Sequence, residues 1–155
     1  MRGARITVIA VALGAVLLTG CTEGVRSPSG TPTASASIGA YDVRVGDCTG
    51  ALPSGSITSL ELIPCDRSHS WEVFHSGKLT DQIYPGQAKI LEDGNKLCRT
   101  AFTLFVGVKP EKSTLKFTFF YPNEATWQNT GDREVLCILG TPDGGLVGSA
   151  KGIKK

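Results

Sequence analysis

The sequence predicts an α+β domain: a small, mostly antiparallel sheet covered by one main helix and tied by two disulfides. Three observations predict it. Runs that alternate apolar and polar residues lie on both sides of a single stretch with helical period. Strands, one helix and strands again make a layer in which the helix covers one sheet face. Four cysteines, Cys48, Cys65, Cys98 and Cys137, are distributed over the strand and helix segments.

Ahead of the domain the chain carries a leader. Arg2 and Arg5 supply a positive start, and Ile6 to Leu18 an apolar run interrupted by Thr7 and Gly14. That run is shorter than the about 20 apolar residues a spanning helix needs. Its length and flanks suit a signal peptide over residues 1–20. Leu18-Thr19-Gly20-Cys21 ends it and resembles the lipobox of bacterial lipoproteins. The resemblance implies cleavage before Cys21, diacylglyceryl on its thiol and an acyl chain on its amine. Two or more chains anchor stably where one is marginal. The expected place is therefore the extracytoplasmic face of the cell membrane, with the membrane a partner through the lipid.

Composition agrees with one domain behind that anchor. A chain of 155 residues, 41% hydrophobic, has enough apolar material for one core. The formal charge of +2 comes from the leader: without Arg2 and Arg5, 14 basic residues face 14 acidic ones. A neutral mature chain gives a nucleic-acid role no electrostatic support. Lys151, Lys154 and Lys155 are too few to alter this and read as a solvated tail.

Residues 21–40 read as the acylated N-terminus and a tether. Ser27 to Ser37 is rich in Ser, Thr, Pro and Ala without apolar periodicity, and buries too little to offset its ordering entropy. As a flexible chain it would lift the domain by about 25 Å.

The domain proper is expected over residues 41–155. Tyr41 to Val45 alternates as a half-buried strand does, and Gly46-Asp47 turns the chain into Cys48. Leu60 to Ile63 is a second strand, ended by Pro64. Ser70 to Leu79 is a third, with Trp71, Val73 and His75 on one face and Glu72, Phe74 and Ser76 on the other. The period then changes. Pro85 suits a first helical turn, and Leu91, Cys98, Ala101, Phe102 and Phe105 form a helical stripe up to a glycine stop at Gly107. Gly94 inside it marks a potential kink. Strands resume over Thr114 to Tyr121 and Arg133 to Leu139, and Asp143-Gly144-Gly145 predicts a hairpin into Leu146 to Ala150.

Four domain cysteines in an exported chain read as disulfides, with three connectivities open. The element order favours Cys48–Cys65, clipping the early strands, and Cys98–Cys137, tying the helix to the late strand. A four-thiolate zinc site is the rival, but no Cys-x-x-Cys pair seeds it.

At these residues a family resemblance emerges. Val45-Gly46-Asp47-Cys48, Pro64-Cys65 with His69 and Glu72-Val73-Phe74, and Tyr84-Pro85-Gly86 leading to Cys98 occur in order. Phe102, Phe105-Val106-Gly107, Tyr121-Pro122, Trp127, Gly131-Asp132-Arg133 and Val135-Leu136-Cys137 follow. The set, from about Asp42 to Gly152, resembles the septum-formation domain of actinobacterial membrane proteins and lipoproteins. The resemblance implies an extracytoplasmic module linked to cell division, without catalytic residues to carry over. Thr49 stands where relatives often have an aromatic residue.

Cys65, His69 and Glu72 can be imagined as nucleophile, base and orienter, but a cysteine in a disulfide cannot attack. His69 and His75, six positions apart, would lie about 20 Å from each other on a strand, too far for one metal ion. The Gly144-Gly145 pair lacks a phosphate-loop context. With no metal-ligand cluster and no nucleotide fingerprint, neither a metal nor a cofactor is expected. The favoured function is a lipid-anchored binding or scaffold protein with an envelope protein as partner. The alternative is an enzyme, or an enzyme accessory, acting on wall or periplasmic substrates. His69, Glu72, Trp127, Asp132 and Arg133, in the two densest motifs, form the expected recognition surface, with packing and capping as their structural alternative.

Overall fold

The structure, a computed structural model, describes residues 25–55 and 57–155. The signal peptide, the lipobox and Cys21 lie outside these residues. The described residues form one antiparallel six-stranded sheet in the spatial order β1-β3-β2-β4-β6-β5. Its strands are β1 (Ala36–Gly39), β2 (Cys48–Thr49), β3 (Ser59–Ile63), β4 (Trp71–Lys78), β5 (Lys116–Phe120) and β6 (Glu134–Gly140). Helix α1 (Gln87–Val106) covers one face, and a short α2 (Glu124–Asn129) leads into β6. The expected α+β architecture is the observed one.

β4 and β6 form the centre. Val135 to Leu139 reads as a continuous apolar run because both faces of β6 are buried. Val135, Cys137 and Leu139 meet Ile90, Cys98, Phe102 and Val106 of α1 in the larger core. Leu136 and Ile138 point the other way, into a smaller cluster with Val43, Leu60, Trp71 and Val73. The helix-free face is therefore covered by the loop between β1 and β2 rather than by a second helix.

Both disulfides form as expected. Cys48–Cys65 joins Cα atoms 5.2 Å apart, and Cys98–Cys137 staples α1 to β6 with Cα atoms 5.5 Å apart. Their separations of 17 and 39 residues correspond to about 3 and about 4 kcal/mol in the chain-entropy model.

Gly94 is not a kink. A Cβ there would lie 2.5 Å from Cε2 of Phe119, so the glycine lets the continuous α1 approach β5. Gly107 ends the helix as expected, with φ 89° and its N–H on Thr103 O.

Six expectations shift. Tyr41 to Val45 is no strand: Ala40–Asp42 is a 3₁₀ turn, and the Arg44 N–H bonds the Asp47 carboxylate instead of a ladder partner. Ala36–Gly39, expected in the tether, pairs with β3 as an edge strand. The predicted faces of β4 hold only to Phe74, because a bulge between Val73 and His75 reverses the alternation. Beyond it Ser76 sits opposite Leu136, while a Cβ on Gly77 would strike Leu97 of α1. The helix stripe uses Ile90 and leaves Leu91 exposed, and Pro85 precedes the Gly86 N-cap rather than entering the first turn. Leu146 to Ala150 forms no hairpin with β6. Leu146 makes a lone bridge to His69, and Ser149 and Ala150 bond the Glu72 side chain. Finally, Trp127 lies on a helix, α2, that sequence analysis left out; Asn123 Oδ1 caps it by accepting from Thr126 N–H.

Candidate functional site

The five residues expected to form a recognition surface fall into two groups at opposite ends of the β4–β6 ladder. Glu72 pairs with Leu139 and Lys78 with Glu134, which separates Glu72 from Arg133 by about 20 Å. The structure thus brings Trp127, Asp132 and Arg133 together, and His69 and Glu72 together, but not the two sets.

His69 is buried, and its Nδ1 lies 2.8 Å from Arg67 O. A carbonyl only accepts, so Nδ1 carries the proton and donates. Its Nε2 is enclosed without a partner among the described residues. Glu72, also buried, accepts from Ser149 Oγ at 2.6 Å and from Ala150 N–H at 2.7 Å. The Glu72 side chain and the His69 backbone, which exchanges hydrogen bonds with Leu146, tie the C-terminal segment to the sheet.

At the other end, the Arg133 guanidinium stacks 3.7 Å above the centre of the Trp127 ring. It donates to four carbonyls: Trp127 O at 2.9 Å, Asp132 O at 2.8 Å, Asp81 O at 3.2 Å and Gln82 O at 3.1 Å. Trp127 is buried, with Tyr84 edge-on at 5.8 Å. This is a clasp joining α2, the loop after β4 and the start of β6. Asp132 is half-exposed and accepts from Glu134 N–H at 3.0 Å.

What is open lies beside that clasp. A groove of about 630 Å³ runs on the helix-free side, between residues of the segments before and after β2 (Ala40 to Val43, and Leu52, Pro53, Gly55 and Ile57) and the β5–β6 edge. Val43, Leu52, Ile57, Phe120 and Leu136 make its floor apolar. Tyr41 and Tyr121 stand at its rim, the Tyr121 hydroxyl accepting from Gln87 Nε2 at 3.2 Å, and Asn123, Thr126, Asp132 and Glu134 line a polar edge. Of the expected surface only Asp132 lines this groove. An apolar trough edged by carboxylates, amides and tyrosines suits recognition of a chain or surface with complementary character. Sequence reasoning missed it because its two walls come from segments about 80 residues apart, joined only by the fold.

The loop that forms one wall is fixed from an unexpected direction. Asp47, 1% exposed, binds the Arg44 N–H at 2.8 Å and the guanidinium of Arg26, which also reaches Asp42 O and Gly30 O. The hydrogen bond to Asp47 raises the Arg26 pKa above its ordinary value, with smaller Coulombic help from Asp47 and Asp42. Ser27 to Thr31 turns the chain back so that Arg26 pairs with Pro32. The segment assigned to a tether is thus held to the domain at Arg26 and again at Ala36–Gly39.

Cys65, imagined as a nucleophile beside His69, is bonded to Cys48 and carries no thiolate. Among the described residues no group of three or more His, Cys, Asp or Glu residues is placed to hold a metal ion.

A family model described as septum formation matches residues 16–137. An uncharacterized membrane protein of Mycobacterium tuberculosis, present in two strains, is 26% identical over 89% of this chain and 36% of its own length. The chain thus spans about a third of the length of the curated relatives it matches. No solved structure gives a significant match. Among the described residues no helix is long and apolar enough to cross a membrane.

Proposed function

The chain belongs to the septum-formation family, and from that premise we propose that it is a lipid-anchored extracytoplasmic binding or scaffold module that docks an envelope protein in the groove beside β5. The observation that carries this reading is the groove itself: an apolar floor with a polar edge, left open on the sheet face opposite α1. The family description supports a division-linked role, and the mycobacterial relatives, named as membrane proteins, support a place at the envelope. Cys21 supplies the anchor, through acylation at the lipobox-like Leu18-Thr19-Gly20-Cys21.

Two experiments test the two halves. Metabolic labelling with a fatty-acid analogue should mark the wild-type chain and leave the Cys21→Ala variant unmarked; label retained on the variant refutes the anchor. Thr118→Glu places a charge on the half-buried groove wall. It should abolish partner crosslinking in cells while leaving the melting temperature within about 2 °C. Unchanged crosslinking would remove the groove from the account.

A further inference from the structure

We infer that the loop Tyr41–Val45 rests against the anionic surface of the bilayer in which the chain is anchored. The inference builds on the lipid-anchored reading proposed above. It starts from the place of Arg26. Arg26 is locked to Asp47 and to the carbonyls of Gly30 and Asp42, so only Thr22 to Val25 remain between the acylated residue and the folded body. Five backbone steps of at most about 3.6 Å put Arg26 within about 18 Å of Cys21. A free chain of residues 22–40 would have held the domain well clear of the headgroups; the docked one holds it against them.

What the docked segment presents at that point has interfacial chemistry. The loop that grips Arg26 also exposes Tyr41 at 81% and Val45 at 53%, with the Asp42 and Arg44 side chains exposed between them and the Asp42 charge offset by the nearby Arg26 guanidinium. The Arg44 guanidinium has no ion-pair partner among the described residues. Tyrosine favours the headgroup level, where its ring is half-immersed and its hydroxyl stays wet. A free guanidinium close to the surface is drawn to anionic headgroups, an attraction lost beyond about a Debye length. Such an arrangement gains little without the anchor and much with it, because the anchor fixes the loop at high effective concentration. The far side of the molecule offers a contrast: Leu104, 82% exposed, is on the outer face of α1, across the sheet from this loop.

The test uses the full acylated chain in protein-free vesicles of phosphatidylcholine with phosphatidylglycerol. Side chains are oxidised by hydroxyl radicals, and each rate is divided by that of the same residue in the urea-unfolded chain. Tyr41 should be protected by about threefold or more while Leu104 stays close to its unfolded rate. In an Arg44→Glu variant, or in vesicles of phosphatidylcholine alone, the Tyr41 protection should shrink. Equal rates for Tyr41 and Leu104 in acylated protein would overturn the inference. The mass of the Cys21 peptide, read from the same digest, separates that result from a failed anchor. An unacylated Cys21 refutes the anchored reading itself, and with it the short span on which this contact depends.

Discussion

Arg133, expected at a recognition surface, has a structural task in the fold. Its planar fork serves four carbonyls while its face lies on Trp127, a geometry that a lysine ammonium does not reproduce. Arg133→Lys should therefore lower stability by about 2 kcal/mol or more in a urea titration. Trp127→Ala, which empties a buried site, should cost about 3–5 kcal/mol. Melting temperatures that stay put while partner capture falls would return both side chains to the recognition surface. The Arg26–Asp47 pair makes the second residue-scale prediction. Arg26→Ala leaves a carboxylate at 1% exposure with the Arg44 amide as its remaining bond, at a cost of about 1.5–3 kcal/mol. Arg44→Ala, whose side chain is free, should change stability by less than about 0.5 kcal/mol. The Gly46-Asp47-Cys48 motif was visible in the sequence, but its partner was not. Nothing in a Ser/Thr/Pro-rich stretch signals that Arg26 folds back across 21 positions to a buried aspartate.

At the scale of elements, the long periodic pieces were legible and the short or irregular ones were not. α1 and the strands around Leu62, Val73, Phe117 and Val135 follow from apolar period and from the Gly107 stop, because burial of one face leaves a period that residue types reveal. β1 carries a single large apolar residue, Ile38, and takes its place through ladder bonds to β3 that any residue can make. α2 has six residues and one buried side chain, too few for a period; its signal was Asn123 ahead of Glu124. The bulge in β4 inverts its faces after Phe74 by leaving one residue of β4 out of the pairing with β6, which an alternating pattern does not reveal. Gly94 shows how a local preference yields to packing. Alanine would gain about 1 kcal/mol in helix propensity, yet its Cβ would sit 2.5 Å from the Phe119 ring. Overpacking costs about 1–3 kcal/mol, so Gly94→Ala should be destabilising on balance. A rise in melting temperature would mean that α1 can lift off β5 at no cost.

For the whole molecule, the disulfides and the docked N-terminal segment combine into one design. Cys98–Cys137 holds the helix on one face, and Cys48–Cys65 holds the strands next to the loop that frames the groove. Reducing both bonds should lower stability by several kcal/mol, more through Cys98–Cys137, whose closed segment is longer. Fragment mass spectrometry of the unreduced protein should return those two linkages and no Cys65–Cys98 bond. The groove shares Tyr41 with the loop placed at the bilayer, so an occupant of the groove would be met at membrane level. A photoreactive amino acid at Thr118, inside the groove, tests docking there in dividing cells. The control carries the same group at Leu104, on the opposite face. One discrete envelope-protein adduct is expected from Thr118 and none from Leu104. Adducts of equal yield from both positions, or an adduct from Leu104 alone, would contradict docking in the groove.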